Sequence, residues 1–346
     1  MRSIFKNSIR IVLLLGLAAL FLVSTTMAVN ADVLKIEPKG KKEIKIAVLD
    51  LISAIETAAQ TNSHYMKEGK KRGWDVRVFD LKMNYAEAPN ILETMINAGY
   101  DAILVNWTSP KYYKAQVKKA FDKGIPVFTN HCGDLVPGLA AEFAVSSYAQ
   151  GAMTADYIST KLKAGDKILM STDPTVAPCI NRRIVAERVF EDRKITIAQK
   201  LYFTSGDPVQ VGYDQVKNAL TADVNKEIKA VWTDWEGRGQ SASRAAMDLK
   251  RSDIIVATTD DSPLTYTYLR ENPTYHATAA MIGKMGILVE RMFKELDNVF
   301  AGKPLQTETV IIPVSSYLVT KENLPPKGYF FRDDGNYSGK PNFKVQ

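Results

Sequence analysis

Lys45-Ile-Ala-Val-Leu-Asp50, a polar and charged stretch over 56–72, Gly73-Trp74, then Asp75-Val-Arg-Val-Phe-Asp80 is the passage that decides the fold. The two apolar six-residue runs have the length and β-branched content of buried strands. The stretch between them ends in basic residues and a glycine, as a surface helix does. A strand, a helix and a second strand joined by short connections make a parallel βαβ unit. The same order recurs downstream: helix 86–98, Gly99, strand Asp101–Asn106, helix 112–123, Gly124, strand Ile125–Thr129.

A second series begins after Val145. Helices at 148–163, 181–192, 209–222 and 239–250 alternate with strands at 167–171, 195–203, 228–233 and 253–259. A return follows, with a strand at 276–281, an amphipathic helix at 283–300 and a strand at 309–314. The pattern predicts an α/β protein with two parallel-sheet lobes in tandem. Gly302, Pro304, Pro325, Pro326 and the tail after Gly328 carry no periodicity, and a surface wrap is expected there.

Upstream of the first strand, Arg2, Lys6 and Arg10 precede the apolar run Ile11–Val23, and Val29-Asn30-Ala31 supplies small residues for a cleavage site. These are the features of an export signal, with cleavage expected after about Ala31 and delivery to the periplasm. The three cations of this segment account for three of the chain's +7 charges, leaving +4 on about 315 residues. An excess that small is a solvated surface and gives no reason to expect nucleic acid as a partner. Two cysteines, Cys132 and Cys179, exclude a disulfide scaffold, and whether they pair is left open.

Enzyme signatures are missing. Asp50-Leu-Ile-Ser-Ala-Ile after the first strand has no glycine to admit a pyrophosphate, and neither a Walker loop nor a Gly-x-Ser-x-Gly elbow occurs. No His/Cys cluster has metal-ligand spacing, so neither a metal nor a cofactor is expected. Ligands of parallel sheets sit outside the carboxyl ends of the strands. That rule nominates Asp50, Glu56, Trp107, Asn130, His131, Thr172-Asp173, Asp234, Trp235, Glu236, Asp260 and Asp261. Carboxylates and amides suit hydroxyl groups, and an indole face suits the C–H face of a sugar ring. Arg182 and Arg183 could add a forked donor. A strand-end Asp also serves as a helix N-cap, which fits Asp260 and Asp261 ahead of Ser262-Pro263. Trp232, inside an apolar run, reads as core.

The order KIAVLD (45–50), GWDVRVFD (73–80), GYDAILVNWTSP (99–110), KGIPVFTN (123–130), SYAQGAMTADYI (147–158), AVWTDWEGRGQSASRAA (230–246), IIVATTDDSP (254–263) and SYLVTKENLP (316–325) resembles the ribose-binding, sugar-binding branch of the type I periplasmic binding proteins. The resemblance covers nearly all of 43–325. It implies two Rossmann-like lobes joined by a three-segment hinge, with crossovers near Val145, Met281 and Val314. The limits it implies are an N-terminal lobe of 42–145 plus 282–314, a C-terminal lobe of 146–281 plus 315–325, and a tail of 326–346. It also implies a receptor that closes on a small polyhydroxylated ligand and hands it to an inner-membrane ABC permease. A sensing role, in which the closed form is presented to a chemoreceptor or sensor kinase, is the alternative. Carried over by position, the family's pocket falls on Asn130-His131, on Arg183 with Arg182 as a one-residue alternative, on the neighbourhood of Asp234 and Trp235, on Asp260, and on Met281 at the hinge. The first loop departs from the pattern: Ser53-Ala-Ile-Glu-Thr57 stands where ribose binders carry paired aromatic rings.

Overall fold

The computed structural model describes residues 32–38, 43–281, 285–313 and 315–327, with the backbone alone at Glu56. The expected export segment 1–31, Val314 and the tail beyond 327 lie outside the described residues. In chain order the first sheet's strands are β2 (Lys45–Asp50), β3 (Asp75–Asp80), β4 (Ala102–Asn106), β5 (Val127–Asn130) and β6 (Ala141–Phe143). A short β1 (Val33–Leu34) precedes them, and helices α1 (Glu56–Arg72), α2 (Ala88–Asn97) and α3 (Lys114–Asp122) alternate with them.

The second sheet takes β7 (Lys167–Thr172), β8 (Thr196–Tyr202), β9 (Ile228–Thr233), β10 (Ile255–Thr259) and β11 (Tyr275–Ala280). Its helices are α4 (Ser147–Lys161), α5 (Ala177–Asp192), α6 (Pro208–Ala222), α7 (Glu236–Asp248) and α8 (Pro263–Glu271). The chain then makes α9 (Met285–Phe300), β12 (Leu305–Gln306), β13 (Thr309–Ile311) and β14 (Tyr317–Thr320). Strand order is β13-β6-β5-β4-β2-β3 in one six-stranded sheet and β14-β11-β10-β9-β7-β8 in the other. All neighbours are parallel except β14, which runs antiparallel to β11.

The central strands of each sheet are buried on both faces and read as continuous apolar runs. Alternation sorts the side chains. In β2, Ile46 and Val48 pack with Met285, Leu288 and Phe293 of α9, while Ala47 and Leu49 pack with Leu92 of α2 and Val117 of α3. In the second sheet, Leu169, Val231 and Val256 meet Val216 and Ala242, while Met170, Trp232 and Ala257 meet Ile158 and Phe190. Trp232 is fully buried, and its Nε1 donates to Thr154 Oγ1 at 2.9 Å.

The chain passes between the sheets from β6 to α4, from β11 to α9 and from β13 to β14. Sequence periodicity misses β6, three residues long with a buried Glu142 at its centre, and β14, in the 315–325 segment for which the resemblance implied a place in the C-terminal lobe but no strand was read from the residues.

Candidate functional site

The carboxyl ends of both sheets open on one cleft. Leu51, Ile52, Ile55, Thr57, Met83 and Trp107 line it from the first lobe. Opposite stand Asp173, Arg182, Trp235, Arg238 and Asp260, with Val176, Pro178 and Cys179 from the start of α5. Trp107 and Asp260 each follow a strand directly and have left-handed backbones, with φ of 54° and 64°. Non-glycine residues seldom take that conformation, and it turns both side chains out of the strand's alternation.

Arg182 frames the second wall. It is 3% exposed, and the guanidinium is satisfied entirely by protein groups. Nη1 donates to Asp260 Oδ2 and to the Asp234 carbonyl, both at 2.8 Å. Nη2 donates to Asp260 Oδ1 at 2.8 Å and to Gln150 Oε1 at 2.7 Å, and Nε donates to Gln150 Oε1 at 3.1 Å. Gln150 Nε2 in turn donates to Asp260 Oδ1 at 3.2 Å. Helix α5 reaches this position because Gly151 lets α4 approach it: a Cβ on Gly151 would lie 2.2 Å from the Arg182 carbonyl oxygen. A backbone atom cannot swing aside. Gly151→Ala is therefore expected to cost roughly 1–3 kcal/mol and to displace Arg182, read as a lowered urea midpoint together with weaker ligand binding.

Helix α7 supplies the remaining polar groups. Thr57 Oγ1 of the first lobe donates to Glu236 Oε1 at 2.6 Å, a direct bridge between the walls. Glu236 Oε2, Asp234 Oδ1 and Arg238 Nη2 are buried with no hydrogen-bond partner. Arg238 lies over the Phe203 ring at 5.1 Å, with Asp173 Oδ2 at 3.8 Å and Asp234 Oδ1 at 3.9 Å, too far for direct hydrogen bonds. Burial, then the neighbouring Asp260, pushes the Glu236 carboxyl well above the carboxylate range. Burial also raises Asp234, although Arg238 pulls against it. Gly237 allows the Trp235 ring to fold back over the helix start, since a Cβ there would meet the indole at 2.4 Å.

Of the residues nominated from sequence, Trp107, Asp173, Trp235 and Asp260 line the cleft, and Asp234 sits beside Arg238 behind it. Neither Asp260 nor Asp261 caps α8: Ser262 does, its Oγ accepting from the Thr265 N–H. Arg183 is a correction. It faces away from the cleft, pairs with Glu187 at 2.9 Å and lies over Tyr202, and Arg182 takes the inward place.

Asp50, Asn130 and His131 are corrections of another kind, because their polar atoms are used beneath the cleft. Asp50 accepts from Ser53, Asn62 and Asn106. Tyr65 and Asn130 both donate to Asn106 Oδ1. His131 Nδ1–H donates to Asn130 Oδ1 at 2.7 Å, and its Nε2 accepts the Val145 N–H at 2.9 Å. Met281 is likewise turned away: its side chain is in the first lobe's core, and its N–H is held by Asp261. The Glu56 side chain lies outside the described residues. Cys132 and Cys179 are both buried free thiols.

Thr57, Gln150 and Arg238 were missed. Arg238 carries the clearest signal, one helical turn after Asp234 at the start of a strand-to-helix connection. Among the described residues, no group of three His, Cys, Asp or Glu side chains could hold a metal ion.

Comparison with known proteins gives the family. A curated relative, the ribose import binding protein of Bacillus subtilis, is 27% identical over 134 residues, 39% of this chain and 44% of the relative's length. A solute-binding protein of an ABC transporter from Agrobacterium vitis, solved with bound allitol, has a TM-score of 0.74 at 20% identity, covering 82% of this chain and 98% of that one. The myo-inositol binding protein of Caulobacter, solved with myo-inositol, has a TM-score of 0.73 at 16% identity over 84% and 97%. A 5-methylthioribose transporter's solute-binding protein from Thermotoga lettingae, solved with 5-methylthioribose, has a TM-score of 0.72 at 17% identity over 81% and 86%. These structures share the fold of two parallel-sheet lobes. The periplasmic binding protein domain matches residues 56–303, well over half of the sequence, and the chain belongs to that family.

Proposed function

We propose that this chain is the periplasmic receptor of an ABC importer and binds a small polyhydroxylated molecule, a monosaccharide, sugar alcohol or sugar-like compound, between its lobes. The observation that carries the reading is a set of open hydrogen-bond atoms, Arg238 Nη2, Asp234 Oδ1 and Glu236 Oε2, buried at a cleft that Thr57 and Glu236 already bridge. Buried polar atoms left without partners are costly, and ligand hydroxyls can both donate to a carboxylate and accept from a guanidinium. Trp107 and Trp235 offer ring faces to the C–H surfaces of such a ligand. The relatives' ligands, allitol, myo-inositol and 5-methylthioribose, are all polyhydroxylated, in keeping with this reading. Export through the 1–31 segment would put the receptor beside its permease, and ligand touching both walls would favour the closed form by its differential affinity.

The test is a thermal-shift and small-angle scattering screen of the periplasmic protein against pentoses, hexoses, sugar alcohols, amino acids and polyamines. A cognate polyol at a hundredfold excess over Kd should stabilise by about 2.7 kcal/mol and shrink the scattering radius. A response confined to amines or amino acids would overturn the ligand class. In the same assay Thr57→Val, which removes the bridge and leaves Glu236 Oε1 without its donor, should weaken binding by about 1 kcal/mol.

A further inference from the structure

The two walls of the cleft differ in the charged groups they offer. The first lobe contributes Leu51, Ile52, Ile55 and Met83 beside the Trp107 indole, and its Thr57 hydroxyl already donates to Glu236. The polar groups at its strand ends bond to one another beneath the surface. Its two open buried atoms, Asn62 Oδ1 and the Tyr85 hydroxyl, belong to residues that do not line the cleft. The second lobe also has an apolar share, Val176, Pro178, Cys179, Pro208 and Trp235, but it alone adds charged groups, Asp173, Arg182, Arg238 and Asp260, backed by the open atoms of Asp234 and Glu236.

A ligand hydroxyl packed against Ile52, Ile55 and Met83 would leave water and find no partner among these described side chains, which weakens affinity roughly five- to a hundredfold. An apolar group in the same place would strengthen it about fourfold for each methylene buried.

Resting on the receptor reading above, we infer that the cognate ligand is amphipathic. It is a polyhydroxylated ring or chain whose hydroxyls face Asp173, Arg238 and Asp260, and whose opposite edge carries an alkyl, thioalkyl or aryl substituent against Ile52, Ile55 and Met83. A polyol bearing a hydroxyl on every carbon fits this cleft less well.

Titration calorimetry on the periplasmic protein with matched pairs tests this: ribose against 5-methylthioribose, myo-inositol against its mono-O-methyl ether, and glucose against phenyl β-glucoside. The expected result is a substituted member binding at least about tenfold tighter than its parent in one or more pairs. Ile52→Asn should then reduce that advantage more than it reduces binding of the parent. Parents binding as well as or better than their derivatives in every pair would overturn the inference and leave the receptor reading standing. Silence from every polyol, plain or substituted, would overturn both. A preference for the derivative that survives both Ile52→Asn and Met83→Asn would overturn the placement of the substituent on the first wall.

Discussion

Arg182→Met is expected to lower stability by roughly 3–5 kcal/mol and to abolish ligand binding, whereas Arg183→Met should fall within about 0.5 kcal/mol of the parent. The two residues are neighbours on one helix, and the contrast follows from what each touches. Removing Arg182 leaves the Asp260 carboxylate buried without its bidentate partner, and Gln150 Oε1 and the Asp234 carbonyl each lose a donor. Arg183 is partly exposed, and Glu187 keeps a second cation, Lys200, at 2.9 Å. Arg182→Lys should be nearly as damaging as Met, because an ammonium cannot reproduce a planar fork that meets Asp260 and Gln150 together. Urea unfolding of the three variants gives the ranking. Adding Asp260→Asn to Arg182→Met removes the stranded charge and should recover part of the loss. Equal costs at 182 and 183, or no recovery in the double variant, would contradict the placement of Arg182 as the buried frame.

That pair also marks where sequence reasoning stopped. Apolar runs and glycine stops sufficed for the two sheets apart from β6 and β14, because a strand buried on both faces is written as an apolar run. They sufficed as well for a cleft at the strand ends, which follows from parallel topology. The inward arginine did not follow, since a one-residue change on a helix is a rotation of about 100° and the amphipathic pattern of α5 is too weak to fix it. Asp50, Asn130 and His131 do sit at strand ends, yet they point into the layer beneath. Trp107 and His131 take the same left-handed turn directly after a strand, with φ of 54° and 55°. One faces the cleft and the other the crossover, a difference set by neighbours distant in sequence. The resemblance put Met281 in the pocket at the hinge, but its side chain belongs to the first lobe's core. Gly151 and Gly237 carry no motif, and their role is defined by atoms brought close only on folding.

The layer beneath the cleft links ligand-side strands to the first crossover, since the bonds from Asp50 through Asn106 and Asn130 to His131 end on the Val145 N–H. Two buried titratable groups flank that point, and they respond to pH with opposite sign. Burial raises Glu142 from 4.5 to about 7, although Thr129 and the N–H groups of Gly133 and Cys132 all donate to it. Burial, helped by the charge of Arg182, lowers His131 from 6.5 to about 3.

A raised carboxyl contributes stability that is present below pH 4.5 and lost as pH climbs to about 7, because the folded state holds a proton that the unfolded chain has released. A lowered histidine contributes stability that is present above pH 6.5 and lost as pH falls toward 3. Between pH 4.5 and 6.5 the two slopes oppose and largely cancel, so the wild-type profile alone hides both. Comparison with Glu142→Gln separates them: the amide keeps an oxygen for the two N–H donors and cannot titrate. From pH 4.5 to 7 the wild type should lose roughly 3 kcal/mol relative to the variant, while below pH 4.5 the two should fall in parallel as His131 charges. Urea midpoints at half-unit pH steps give the difference curve. A flat difference across pH 4.5 to 7 would mean that the three donors keep Glu142 ionised, and the crossover would then carry a fixed negative charge instead of a proton.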